Sequence, residues 1–77
     1  MENLLLVIVR SLVDKPESIR IEVDNTAPDG LIIYRVIVDD SDMGRVIGKQ
    51  GRVAKSIRQI VKSVSVKKNL KVAVEIG

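Results

Sequence analysis

Gly44-Arg45-Val46-Ile47-Gly48-Lys49-Gln50-Gly51-Arg52-Val53-Ala54-Lys55-Ser56-Ile57-Arg58 is the stretch on which the fold turns. It reads as a short helix, a four-residue loop from Gly48 to Gly51, and a longer helix. Glycine lacks a Cβ and tolerates positive φ, so another backbone can come close. Gly48 is expected to act as the left-handed stop of the short helix. Gly51 is expected where the longer helix opens. Such an opening presents unpaired N–H groups and the positive end of the helix dipole. Lys49 adds a mobile cation, and Arg45, Arg52 and Lys55 lie close by in sequence. The combination suits an anion, phosphate most of all. A Gly-x-x-Gly is also a common plain turn between helices, so its surroundings must decide.

Composition narrows the chemistry. The chain has 77 residues, 45% hydrophobic and 30% charged, which predicts one small domain over residues 1–77. It contains no cysteine and no histidine. That removes disulfides, the usual zinc ligands, and cysteine or histidine catalysis. No enzyme, metal or cofactor is expected. The apolar run Leu4 to Val9 is too short for a membrane span and lacks the features of a signal peptide. A soluble, cytoplasmic protein is the default expectation.

Charge is uneven. Met1 to Met43 holds four basic and nine acidic residues, a net of −5; Gly44 to Gly77 holds nine basic and one acidic, a net of +8. The break falls at the glycine stretch and suggests a polyanion on one face. A solvated helix face is the plainer alternative.

Outward from the loop, hydrophobic spacing sets the remaining elements. Glu2 to Val13 reads as a helix with Leu5, Ile8, Val9 and Leu12 on one face, ended before Pro16. Leu4, Leu6, Val7 and Val13 give it surplus apolar surface, for core burial or for a partner. Ile19 to Asp24 alternates apolar and polar residues, as a half-buried strand does. Asn25 to Gly30 is a turn cluster, and Leu31 to Asp39 is a second strand with Ile32, Tyr34, Val36 and Val38 inward. Ile33 and Ile37 are expected to be partly exposed on its other face. Asp39, Asp40, Ser41 and Asp42 are cap candidates for a helix over Asp42 to Ile47. The long helix carries Val53, Ala54, Ile57, Ile60, Val61 and Val64 as one stripe, with Arg52, Lys55, Arg58, Gln59 and Lys62 opposite. Lys67 to Asn69 turns the chain into a last strand, Leu70 to Ile76.

The order αββααβ implies an α+β fold. A crossover through two helices places the last strand parallel to the second. The expected result is a three-stranded mixed sheet with three helices packed on one face.

The run Val46-Ile47-Gly48-Lys49-Gln50-Gly51, with Ile57 six residues after the second glycine, resembles the KH RNA-binding domain. The element order resembles its type II form over the whole chain. The stretch Gly44 to Lys55 is most similar to the small single-domain bacterial KH proteins that act as RNA chaperones. The resemblance implies single-stranded RNA as ligand, with the loop clamping the backbone of about four nucleotides. Gly48 and Gly51 would admit the strand, and Lys49 and Gln50 would contact phosphate. Val46, Ile47 and Val53 would floor a groove between the two helices and the sheet edge, unless they are ordinary core. Arg45, Arg52 and Lys55 would border it. The resemblance also implies a homodimer or a larger RNA-binding partner, and a link to cell elongation and envelope growth. With Tyr34 the sole aromatic residue and read as inward, stacking platforms are not expected.

Two other readings remain in view. Gly44 to Lys49 has the outline of a phosphate-binding P-loop, but that motif needs four residues between its glycines and Ser or Thr after the lysine. Here three residues intervene and Gln50 follows. The other reading is a protein–protein interaction module with little RNA binding of its own.

Overall fold

The computed structural model describes residues 1–76. Its elements are α1 (Glu2–Arg10), β1 (Arg20–Asp24), β2 (Ile32–Ile37), α2 (Met43–Ile47), α3 (Arg52–Lys67) and β3 (Val72–Ile76). β2 is the central strand, antiparallel to β1 and parallel to β3. The α+β order and the mixed sheet are those the sequence implies.

The core lies between the sheet and the helices. Leu5 and Val9 of α1, Tyr34 and Val36 of β2, Val46 of α2, Ile57 and Val61 of α3, and Val74 of β3 close on one another. Burying a large aliphatic side chain contributes roughly 1.5–3 kcal/mol, so these positions hold the layers together. Tyr34 and Val38 are inward and Ile33 and Ile37 are half-buried on the far face, as alternation requires.

Several boundaries differ from expectation. α1 ends at Arg10, three residues early, because its last turn tightens: the Leu12 N–H donates to the Val9 carbonyl (3.0 Å) and the Ser11 hydroxyl to that of Ile8 (2.6 Å). Leu12 and Val13 still pack against the core from beyond the helix. β2 stops at Ile37, before Val38 turns into the core and Asp39 takes the N–H and hydroxyl of Ser41 (3.0 and 2.6 Å). On α3 the buried line is Ala54, Ile57, Val61 and Ser65. Ile60, expected on the stripe, is 45% exposed. The helix is rolled toward Ser65, whose hydroxyl is satisfied by the Lys62 carbonyl at 2.9 Å. α3 ends in a left-handed Asn69 (φ 60), with the Leu70 N–H returning to the Ser65 carbonyl (2.8 Å) and that of Asn69 to Val66 (3.1 Å). This pair of bonds is a Schellman cap, and it delivers the chain to β3.

Among the described residues no helix is long and apolar enough to cross a membrane, and no three metal-ligating side chains converge.

Candidate nucleic-acid interface

The loop between α2 and α3 is built from unusual backbone. Gly48 closes α2 by donating its N–H to the Gly44 carbonyl (2.8 Å). Its φ of 76° is positive as expected, but its ψ of 172° is extended, so it is not a left-handed helical stop. That region is open essentially to glycine alone. Space makes the same demand: a Cβ on Gly48 would stand 2.4 Å from Cγ2 and 2.9 Å from the backbone N of Val53. Val53 thus packs directly over Gly48. Lys49 to Gly51 form one tight turn, with the Gly51 N–H on the Gly48 carbonyl (3.1 Å). Gln50 is left-handed at φ 58°, ψ 26°, a conformation costing a non-glycine residue roughly 1–2 kcal/mol. Gly51 follows at φ 74°, ψ 14° with open space around it. Two successive left-handed residues lift Lys49 and Gln50 outward, and both are exposed.

α3 opens directly from this turn. Its first turn contains no acidic residue, and no side chain caps its amides among the described residues. Its free N–H groups and dipole therefore face the loop. Arg52 and Lys55 are exposed on this turn. Ion pairs among the described residues engage Lys15, Arg35 and Arg45, leaving Lys49, Arg52 and Lys55 without one. Three cations and a helix start share one corner with no carboxylate among the described residues ion-paired to them, an arrangement suited to phosphate oxygens.

The other expected site residues are placed differently. Arg45 is not free. Its guanidinium pairs with Asp14 and with Asp42 (3.3 Å), and the Asp14 hydrogen bond in particular holds it more firmly protonated than an ordinary arginine. Val46 is fully enclosed in the core. It supports α2 from beneath and does not floor a groove. Val53 is half-buried against Gly48, and Ile47 is 36% exposed beside the loop.

An open groove does run between α3 and β3. Val61, Val66, Leu70 and Val72 line it, and Arg58, Lys62 and Lys71 contribute its charged groups. The Arg58 Nε donates to the Val74 carbonyl at 3.2 Å, across the outer edge of β3. The groove's apolar surface thus comes from the far half of α3 and from the approach to β3, which the sequence reading had not singled out. Its signal was present: Arg58 and Lys62, four residues apart, fall on one flank of α3 beside a parallel edge strand.

An αββααβ domain with a mixed sheet, helices on one face and a Gly-x-x-Gly turn between its last two helices is a type II KH domain. The family model described as KhpA/KhpB, KH domain, matches residues 2–76, and the chain belongs to that family. It is 49% identical over 76 residues to the RNA-binding protein KhpA of Clostridium perfringens, covering 99% of both chains. The KhpA protein of Listeria monocytogenes is also 49% identical, over 99% of this chain and 97% of its own. That of Chlamydia trachomatis is 44% identical over 77 residues, 99% and 95% of the two chains.

Proposed function

We propose that this protein binds single-stranded RNA and holds its backbone at the Gly48–Gly51 turn. The observation that carries the reading is the set of three unpaired cations, Lys49, Arg52 and Lys55, gathered at the uncapped start of α3. Phosphate approaches the turn at Gly51, where the missing side chain leaves open space. Bases lie along the α3–β3 groove against apolar side chains, with Arg58, Lys62 and Lys71 beside them. Duplex RNA binds less well, since paired bases cannot enter. The relatives' name, RNA-binding protein, supports the same ligand. In this reading the protein is a non-enzymatic RNA chaperone or post-transcriptional regulator in the cytoplasm, acting in cell elongation and envelope growth as the family resemblance implies.

The test replaces Lys49 and Gln50 together by aspartate. Aspartate tolerates left-handed backbone better than most residues, and it suits a helix start, so the circular dichroism spectrum and melting stay close to wild type. Like charge facing phosphate can cost several kcal/mol. Binding of a short oligouridylate should fall at least about tenfold, or ~1.4 kcal/mol. Undiminished binding by the folded variant places the RNA elsewhere.

Self-association is a second reading, favoured by apolar exposure. Val66 is 67% exposed, Ile60 45% and Leu70 42%, on or just past α3, and Val7 of α1 is 63% exposed. A second copy, or a larger RNA-binding protein, would cover such surface. Sedimentation at micromolar concentration should show a dimer; a monomer throughout leaves the heterologous partner.

A further inference from the structure

Asp42 is 1% exposed. The sequence marked it as a cap for α2, yet its side chain does not cap that helix. Its carboxylate instead reaches the connection between α1 and β1. Oδ1 accepts the N–H of Asp14 (3.1 Å) and Oδ2 that of Lys15 (3.0 Å). The Arg45 Nη1 donates to Oδ1 from one turn further along α2 (3.3 Å) and also pairs with Asp14. Lys15 closes the cluster through its own ammonium, 3.7 Å from Asp39.

Arg45 is thus the side-chain counter-ion of an enclosed carboxylate. Drawing it toward a phosphate would leave Asp42 with backbone partners alone in a dry setting, and uncompensated buried charge is costly. α2 has only five residues and cannot hold its own direction. Val46 anchors its underside in the core, and the Asp42–Arg45–Asp14 cluster anchors its beginning. Its other end is Gly48.

We infer that Arg45 and Asp42 are positioning residues for RNA binding: they fix α2, and through it the glycine turn, to residues 14 and 15, and Arg45 does not contact the RNA backbone. This rests on the clamp reading above. Phosphate attraction then comes from Lys49, Arg52 and Lys55.

Salt dependence separates positioning from direct attraction. Each phosphate that a protein neutralises on a single strand adds about 0.7 to the steepness with which log K falls against log salt. Arg45→Gln and Lys49→Ala are compared with wild type on a short oligouridylate across a salt series. For Arg45→Gln, affinity should fall about threefold to tenfold with the slope unchanged. The Gly48 and Gly51 amide resonances of the free variant should also move, which removal of a remote surface charge would not cause. For Lys49→Ala the slope should become shallower by about 0.7. Asp42→Asn supplies a test of sign. It removes a negative charge, so simple attraction would tighten RNA binding, whereas loss of positioning weakens it. A shallower slope or unchanged affinity for Arg45→Gln, or tighter binding by Asp42→Asn, overturns the inference. An unchanged slope for Lys49→Ala instead counts against the clamp itself, whatever Arg45 does.

Discussion

The helices on either side of the glycine turn are held in opposite ways. α3 runs for sixteen residues and seats Ala54, Ile57 and Val61 in the core. Its apolar stripe would direct a helix onto any apolar layer. α2 has five residues and depends on what grips it: Val46 from below, and Asp42 with Arg45 from the α1–β1 connection. The turn therefore hangs between a helix that supports itself and one that is supported. Gly51, on the α3 side, answers to local backbone geometry. Gly48, on the α2 side, answers to geometry and to Val53 pressed against it.

Alanine at the two glycines measures that contrast. Gly48→Ala combines a glycine-only conformation with a clash against Val53 backbone, and should cost about 3 kcal/mol of unfolding free energy. Gly51→Ala meets open space and keeps only the left-handed penalty, about 1 kcal/mol. Denaturant titration reads both as midpoint shifts. Equal losses would show that the two ends of the turn are held alike.

A smaller effect lies at the entry to α2. Hydrogen bonds from the Ser41 hydroxyl and then the Ser41 N–H, with attraction from Lys15, hold the Asp39 carboxyl below its ordinary value. A lowered folded value adds stability above the unfolded value, about 3.9, and that stability is lost as pH falls through the folded value. Between about pH 5 and about pH 2 wild type should therefore lose slightly more melting temperature than Asp39→Asn. The difference is small because the group is exposed and screened. Parallel pH profiles would show that the α2 entry gains nothing from this carboxylate.

The parts readable in the sequence are those set by local pattern. Alternation in Ile19 to Asp24 and Leu31 to Asp39 named the hairpin. The long apolar stripe named α3, and two helices between strands named the parallel pairing. The glycine turn was legible because glycine restricts few things and permits a distinctive one. What escaped depends on partners far along the chain. Asp42 looked like a cap because it precedes a helix, but its amide partner Asp14 lies 28 residues upstream. Arg45 was read as bordering the RNA groove because Asp42, three residues before it, was read as a cap, and its other partner, Asp14, lies far upstream. Ile60, read on the stripe, is exposed and Ser65, outside it, is buried, because the roll of α3 is set by the sheet beneath it, which a helical wheel does not contain. Val46 looked equally suited to a groove floor or a core, and only the closure of α1, β2 and α3 around it decides between them.

The parallel pairing of β2 with β3 bears on the order in which the molecule forms. β1 and β2 adjoin in sequence and can zip together as a hairpin on the microsecond scale. β3 cannot join until the chain from residue 38 to residue 71 has been gathered into the crossover that parallel pairing requires. Closing so long a segment spends chain entropy before the strand pairing returns any of it, and this slows assembly. That segment contains α2, the glycine turn and α3. A nascent or partly opened chain can thus display the hairpin while α2, the glycine turn and α3 are still ungathered, and β3 is the last strand to be added.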